Sequence, residues 1–449
     1  MRNTLRLSGA ALPALQEITM MRFQRHARAI LVTVFASLVM LGGTAHAKDV
    51  AYRVIHNFHG WPNDGCEPVG VPAPTRNGDV YGVTSACGAY EYYGTAFKLT
   101  APRTRGGAWR ETILYNFPGG SGGFGADAIV LGADGNLYGF AGQVVFELKA
   151  PTGRRGVWKY TSLYTLNGTT QGDAIQGIAL DAKGNIYGAT EEGGDLSCGN
   201  GHGCGIVFEL KRPTKDGGKW RLSVLHTFPG QPDGEVPFAG VTFDQMGNLY
   251  GTTDGGGTYG YGTVYRLSPP AQKGGSWTET VLYSFDPGTL GDLPGGPVTF
   301  DESGNMYGTT VFGGDLNCSG GFGCGVVFEL SPQQRGTWTY TNLYSFQGGG
   351  DGAYPKGHIV MDSKGDLYST TTAGGGGQGY SGTAFKLTPP PQKGDAWTET
   401  VLHSFKVPED TGANGGLTWG KWGDLYGVTY LGGTGCPGNG CGTVFELQP

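Results

Sequence analysis

Asn248-Leu249-Tyr250-Gly251-Thr252-Thr253 is one of seven near-copies of a single hexapeptide, centred on Tyr81, Tyr138, Tyr187, Tyr250, Tyr307, Tyr368 and Tyr426. The intervals run from 49 to 63 residues, a regular self-similarity that marks a repeat architecture. Around the quoted copy the chain reads Val241-Thr242-Phe243-Asp244 before it. After it come Gly262-Thr263-Val264-Tyr265-Arg266-Leu267 and Trp277 to Phe285. Short runs of β-branched and aromatic residues bounded by Gly, Pro or Asp are the marks of antiparallel strands joined by turns. Each repeat therefore supplies four strands, A to D, with the hexapeptide in B. The A–B link, Asp-x-x-Gly-Asn/Asp, is a tight hairpin in which Asp244, Asp301 and Asp362 bond the turn backbone. Seven four-stranded units predict an all-β, seven-bladed β-propeller.

The chain ends fit a closed ring. In six repeats a Trp opens strand D, as Trp109 does eight residues before Phe117, but no D strand follows Phe445-Glu446-Leu447. The missing strand is read at the N-terminus, where Tyr52-Arg53-Val54-Ile55-His56-Asn57-Phe58 matches Glu111 onward and Val50 replaces the Trp. Blade 7 is thus expected to be composite, residues 48–58 with 416–449, inside a single propeller domain of residues 48–449. Upstream, Arg22, Arg25 and Arg28 precede an apolar run from Ala29 to Leu41 and then Ala45-His46-Ala47, the form of a secretory signal peptide cleaved after Ala47. Residues 1–47 are assigned to it, although the first twenty fit no targeting segment and Met20 or Met21 makes a better start. With no second long apolar run, the mature chain is expected to have no transmembrane segment and to be exported, to the periplasm or the extracellular space.

The units Leu-Tyr-Gly-Thr-Thr at 249–253, Gly-Gly at 432–433 and Gly-Thr-Val-Phe-Glu-Leu at 442–447 resemble the GloVer tandem repeat of secreted bacterial proteins. The resemblance covers essentially all of the mature chain. It implies secretion and, with no sorting tail after Gln448-Pro449, release or non-covalent retention; it implies no settled activity.

Composition excludes other classes. The 86 glycines sit at fixed offsets within aromatic and β-branched stretches, as in turn-rich β proteins and unlike disordered chains. A formal charge of −6 gives no whole-chain pull toward nucleic acid. Three pairs of the eight cysteines, Cys198 with Cys204, Cys318 with Cys324 and Cys436 with Cys441, bracket short Gly-rich stretches of B–C loops and read as local disulfides. Zinc is the competing reading of paired cysteines, but blades 3, 5 and 7 cannot converge on one ion. Cys66 and Cys87 fall in loops that a propeller places on one face, so their pairing is expected. An oxidising compartment follows.

A residue that recurs in most blades is best explained by the scaffold. That rule assigns Glu147, Glu209, Glu329 and Glu446 of strand C, and His56, His226 and His403 of strand D, to structure. His59, His202 and His358 are left over; His358 stands where strand A opens on the channel and is read as solvent-facing, with Asp351 and Lys356 as its only candidate partners. No nucleophile elbow, phosphate-cradling turn or His-Glu-x-x-His helix is present. No catalytic residue, metal or cofactor is assigned. Candidate binding residues are therefore loop aromatics on the D–A/B–C face, Trp61, Phe124, Phe238, Tyr354, Tyr259, Tyr261 and Tyr380, together with His358. Further loop aromatics there are Tyr90, Tyr92, Tyr93, Phe322 and Tyr430. The preferred reading is a secreted, non-catalytic protein presenting this face to a glycan or protein at the cell surface. The alternative is a secreted propeller enzyme, a polysaccharide lyase or a lactone or glycan hydrolase, with its site at the channel mouth. Bases concentrated in the C–D links, Arg103, Arg105, Arg154, Arg155, Arg212, Lys215, Lys273, Arg335 and Lys393, predict a basic opposite face able to rest on anionic envelope material.

Overall fold

In blade 4 every residue of the hexapeptide has its own task. Asn248 closes the A–B turn, its Nδ2 donating to Asp244 Oδ2 at 2.7 Å while Asp244 Oδ1 accepts from the Met246 and Asn248 amides. Leu249 is fully buried, and the Tyr250 hydroxyl returns to Asp244 Oδ2 at 3.1 Å. Gly251 lies under the ring of Tyr265, where a Cβ would meet the hydroxyl at 2.4 Å, so a side chain cannot enter. Thr252 Oγ1 donates to Gly296 O of the next blade at 3.2 Å, and Thr253 Oγ1 pairs with Thr263 Oγ1 at 2.9 Å across to strand C. Turn, core, inter-blade and inter-strand contacts are thus packed into six residues, which explains why this stretch and not the loops is repeated.

The computed structural model describes residues 51–449 apart from 121–122, 124, 154–155, 216, 287–290, 377–380, 393, 407–409 and 414, and the backbone alone of 335. The signal peptide expected over residues 1–47, the residues Val50, Phe124, Arg154, Arg155, Tyr380 and Lys393, and the side chain of Arg335 lie outside what is described.

Among the described residues seven antiparallel blades follow one another along the chain, each ordered A-B-C-D, and beside the seventh Asp410–Thr411 pairs separately with Leu431–Gly432. Blade 1 is Gly65–Pro74, Val80–Cys87, Thr95–Thr100 and Arg110–Asn116. In blades 4 to 7 strand A is broken in two, as in Gly234–Pro237 and Thr242–Phe243, so it begins inside what the sequence reads as a D–A loop. The last sheet takes its outer strand from the other end of the chain: Ala51–Asn57 pairs antiparallel with Thr443–Gln448, Ala51 opposite Gln448 and Asn57 opposite Thr443. The expected composite blade closes the ring.

Packing between blades repeats too. The residue closing each D strand, an aromatic everywhere but at Leu166 of blade 2, packs toward the strand C aromatic of the next blade: Phe58 on Phe97 at 5.1 Å, Phe228 on Tyr265 at 5.1 Å, and Phe346 on Phe385 at 5.1 Å between centroids. All six are fully buried. Burying a side chain of this size is worth about 1.5–3 kcal/mol, so the seams rather than single sheets carry the stability. Each C–D pair also shifts register once, between Ala96 and Phe97 in blade 1 and Val264 and Tyr265 in blade 4. Such a bulge leaves one D-strand residue unpaired. It falls on Leu114 in blade 1 and Leu282 in blade 4, both of which pack on the inter-blade core.

Candidate functional site

The A strands of successive blades meet near the axis with almost no side chain between them. A Cβ on Gly177 would touch Gly240 Cα at 2.7 Å, and one on Gly357 would touch Gly416 Cα at 2.8 Å. His358 and Gly416 form a parallel backbone bridge. Above this constriction, residues that do not repeat come together from blades 3 to 6.

Lys356 follows the first piece of strand A in blade 6, and its Nζ sits 5.5 Å from the Phe238 ring centroid in blade 4. A lysine can cross to a ring two blades away only close to the axis. Asp254, at the end of strand B in blade 4, is half-buried and feels Lys356, Glu191 of blade 3 and Asp292 of blade 5. Desolvation dominates and lifts its pKa to about 6, Lys356 opposing and the two acids adding to the rise. Burial, helped by Glu192, also raises Glu191, whose Oε2 accepts from Gln176 Nε2 at 2.7 Å. Burial raises Asp292 as well, and its Oδ1 is enclosed without a hydrogen-bond partner. The result is a partly dehydrated mouth of three carboxylates, one ammonium, one amide and one aromatic ring. Such a set offers acceptors to hydroxyl or ammonium donors, one cationic donor, and an apolar face.

The predicted binding residues divide among several places. Phe238 is in the mouth. Trp61 and Tyr259 are 60% and 56% exposed, joined by Tyr90, Tyr92 and Phe322. Tyr261 instead packs on the core between blades 4 and 5. Tyr354 is half-buried, its hydroxyl 2.6 Å from Ser319 Oγ and its ring 5.5 Å from that of Phe312. Tyr430 donates to Glu67 Oε2 at 2.7 Å. His358 is not solvent-facing as expected: it is half-buried, with Nε2 3.3 Å from Thr299 Oγ1, and desolvation lowers its pKa. Its two candidate partners are engaged elsewhere, Asp351 with the Tyr344 hydroxyl at 3.1 Å and Lys356 with Phe238. Sequence reasoning did not single out Glu191, Asp254 and Asp292 as site residues, because acids in Gly-rich loops read as ordinary surface charge. Their signal was position: Asp254 and Glu191 each directly follow a Thr of the hexapeptide copy, where the strand runs out at the axis.

A second set of polar residues lies on the seams. The D-strand position filled by His56, His226, Tyr344 and His403 meets an Asp that precedes the next strand A and, one blade on, the second residue of strand D. His226 Nε2 is 3.2 Å from Asp233 Oδ2, and His403 Nε2 is 2.8 Å from Asp410 Oδ2 while its ring stacks on Tyr52 at 3.6 Å. Three Asp–Glu pairs occur here: Asp64 with Glu111, Asp233 with Glu279, and Asp351 with Glu399. Burial and the neighbouring Asp push these glutamates up, to about 8, about 8 and about 7 respectively.

All eight cysteines pair as expected: Cys66–Cys87, Cys198–Cys204, Cys318–Cys324 and Cys436–Cys441. The basic face is less free than its sequence predicts. Arg212 reaches Asp134 at 2.9 Å and Arg105 pairs with Asp424, because the acidic A–B turns share that face with the C–D links.

Residues 142–322 match the Gloeobacter/Verrucomicrobia repeat. No curated protein matches the sequence. Among solved structures the chain is similar to PorZ, a bacterial surface component of the type-IX secretion system of Porphyromonas gingivalis. Identity is 15% and the TM-score 0.50, over 86% of this chain and 47% of PorZ, so the chain spans about half the length of that protein. This likeness is one of fold. An ulvan lyase of a polysaccharide lyase family, solved with bound GlcA(1-4)Rha3S, is similar at 11% identity and TM-score 0.48 over 87% of this chain and 95% of the lyase. An α-L-arabinanase of Penicillium chrysogenum, solved with arabinobiose, is similar at 16% and 0.44 over 89% and 98%.

Proposed function

For a chain whose residues 142–322 match the Gloeobacter/Verrucomicrobia (GloVer) repeat, we propose that the function is to bind a glycan, without turnover, in an exported protein. The ligand is held at the channel mouth between blades 3 and 6, with the exposed loop aromatics of the same face as outer contacts. The observation that carries this reading is the meeting of Lys356 with Phe238 beside Asp254. The scaffold rule explains residues needed seven times, and these three are each used once. Sugar hydroxyls donate to carboxylates and accept from an ammonium, and the apolar face of a pyranose covers an aromatic ring. A net negative mouth favours neutral over acidic sugars. Four disulfides support an oxidising, exported setting, and no helix among the described residues is long and apolar enough to cross a membrane.

A glycan array followed by calorimetry on the best hit tests the proposal. Neutral oligosaccharides are expected to bind the mature protein, and Phe238→Ala and Asp254→Asn are each expected to weaken binding at least tenfold. Retention of full affinity by both variants overturns the assignment of the site, and an array with no hit overturns the ligand class.

One observation favours the enzymatic alternative: a carboxyl with a pKa near 6 in a cleft suits a general acid. Asp254 would then protonate a leaving oxygen, with Glu191 as its partner carboxylate. Release of reducing or unsaturated ends from a bound polysaccharide, abolished in Asp254→Asn, would replace the binding reading with this one.

A further inference from the structure

The seam where the ring closes differs from its counterparts in one respect. At the other two histidine seams the imidazole bonds its aspartate directly, at 3.2 Å for His226 and 2.8 Å for His403. His56 instead stands 3.6 Å from Asp64 Oδ2 and 3.6 Å from Glu111 Oε2. Its Nε2 is sealed from solvent and makes no hydrogen bond, and Glu111 Oε1 is likewise enclosed and unbonded. The three ligand atoms lie within 4.8 Å of one another. Asp64 is fixed in place, Oδ1 accepting from the Gly65 amide at 2.6 Å and Oδ2 from the His59 amide at 2.8 Å.

We propose that His56, Asp64 and Glu111 form a divalent-cation site of the zinc class at the blade 7–blade 1 seam. Separations of 3.6 Å are too long for hydrogen bonds. They suit an ion between the groups: with metal–ligand bonds of about 2.1 Å, each 3.6 Å edge subtends about 120°, near the tetrahedral or trigonal range. One imidazole and two carboxylates make a borderline donor set, which suits Zn²⁺ better than Ca²⁺ or Mg²⁺. His59 lies beside the trio: its ring is two-thirds exposed and its Nδ1 is 3.3 Å from Asp64 Oδ2, within reach to serve as a fourth ligand. The seam joins the N-terminal strand to blade 1, so an ion there ties the closing strand to the ring. It lies apart from the channel mouth and does not depend on the glycan reading.

The test uses the mature protein without a histidine tag, stripped with chelator and dialysed into metal-free buffer. Calorimetric titration with Zn²⁺ is expected to show one equivalent per chain. Glu111→Gln is expected to weaken it at least tenfold, while Glu279→Gln, the same change at the His226 seam, leaves it unaltered. Uptake of less than half an equivalent by the wild type, or equal binding by wild type and Glu111→Gln, overturns the proposal. Should Glu111→Gln fail to fold, Co²⁺ added to the wild type decides the question. Visible bands of a four- or five-coordinate ion support the site, and the spectrum of aqueous Co²⁺ alone refutes it.

Discussion

Arg53 Nη2 lies 2.7 Å from Glu446 Oε2, tying the strand that begins the ring to the strand that ends it. Other blades place Thr or Ser where Arg53 stands, as at Thr112 and Ser223. The arginine is needed here because blade 7 alone sets two buried acids together, Asp424 and Glu446, whose side chains have no exposure. Arg53 and Arg105 neutralise them, and Arg53 Nη1 also donates to Gly107 O at 3.3 Å. Removing one partner of a buried pair leaves the other charge stranded. Arg53→Met should therefore cost about 2–3 kcal/mol, below the fully buried range because the arginine is one-third exposed. Adding Glu446→Gln should recover most of the loss. Denaturant midpoints of the single and double variants measure this, and no recovery in the double variant would remove the charge argument. Deleting residues 48–58 should go further, opening the edge of blade 7 and abolishing cooperative melting.

The paired carboxyls on the seams predict a pH response. Glu111 and Glu279 hold protons up to about pH 8 and Glu399 up to about 7, each shifted first by burial and then by its neighbouring aspartate. The folded state thus keeps protons that the unfolded chain loses near pH 4.5. Stability from these groups is complete below that value and is lost as pH rises through 7 to 8. Each contributes at most about 1.4 kcal/mol per pH unit, less where solvent screens it. Metal-free protein should melt lower at pH 8.5 than at pH 6, and Glu279→Gln should flatten the decline. A melting temperature that rises over this interval would show that these glutamates are already ionised in the folded protein at pH 6.

What the sequence disclosed follows from what repeats. Tyr250 and its copies revealed the blades because each copy meets the same turn, core and seam. The closing strand was legible because Tyr52 to Phe58 keeps that pattern out of place. The channel mouth was not legible, for the opposite reason: Lys356 stands where blade 4 has Phe238, Asp254 and Glu191 are acids at a place where the other five blades have none, and an acid in a Gly-rich loop looks like a solvated one until the ring brings blades 3 to 6 together. Charge sorting was incomplete for a similar reason. Counting bases in C–D links left out Asp134 and Asp424 of the A–B turns, which the fold sets against Arg212 and Arg105.

Reducing the disulfides should loosen one face and its seams while sparing the sheets. The carbonyls of Cys204, Cys324 and Cys441 accept amides from Val236, Tyr354 and Glu67 at the start of the next blade, at 3.0, 2.9 and 2.9 Å. Each short bridge therefore also positions its neighbour. Cys318→Ser with Cys324→Ser should cost about 2 kcal/mol and raise amide exchange at Tyr354 without affecting Leu387 in the core of blade 6. Equal exchange at Tyr354 with and without the bridge would separate loop shape from blade docking.

Those same three acceptors demand an unusual backbone from their donors. Glu67, Val236 and Tyr354 have φ of 59°, 59° and 57°, and Ala174 and Leu293 match them at 52° and 54°. The left-handed region costs a residue with a Cβ about 1–2 kcal/mol, and a β-branched side chain is the least suited to it. Val236→Gly should relieve this strain, but glycine gives back about 0.5–1 kcal/mol in unfolded-state entropy. The net expectation is a gain of up to about 1 kcal/mol with the amide bond to Cys204 kept. Gly308→Ala is the opposite case. Its backbone is ordinary, yet a Cβ would fall 2.5 Å from Phe328 Cζ in a fully packed core, so it should destabilise by several kcal/mol. Urea titrations of the two variants beside the wild type give the comparison. If Val236→Gly proves less stable than wild type, the valine side chain holds the neighbouring loop by packing that outweighs its backbone strain, and the hydrogen bond to Cys204 is not what fixes the conformation.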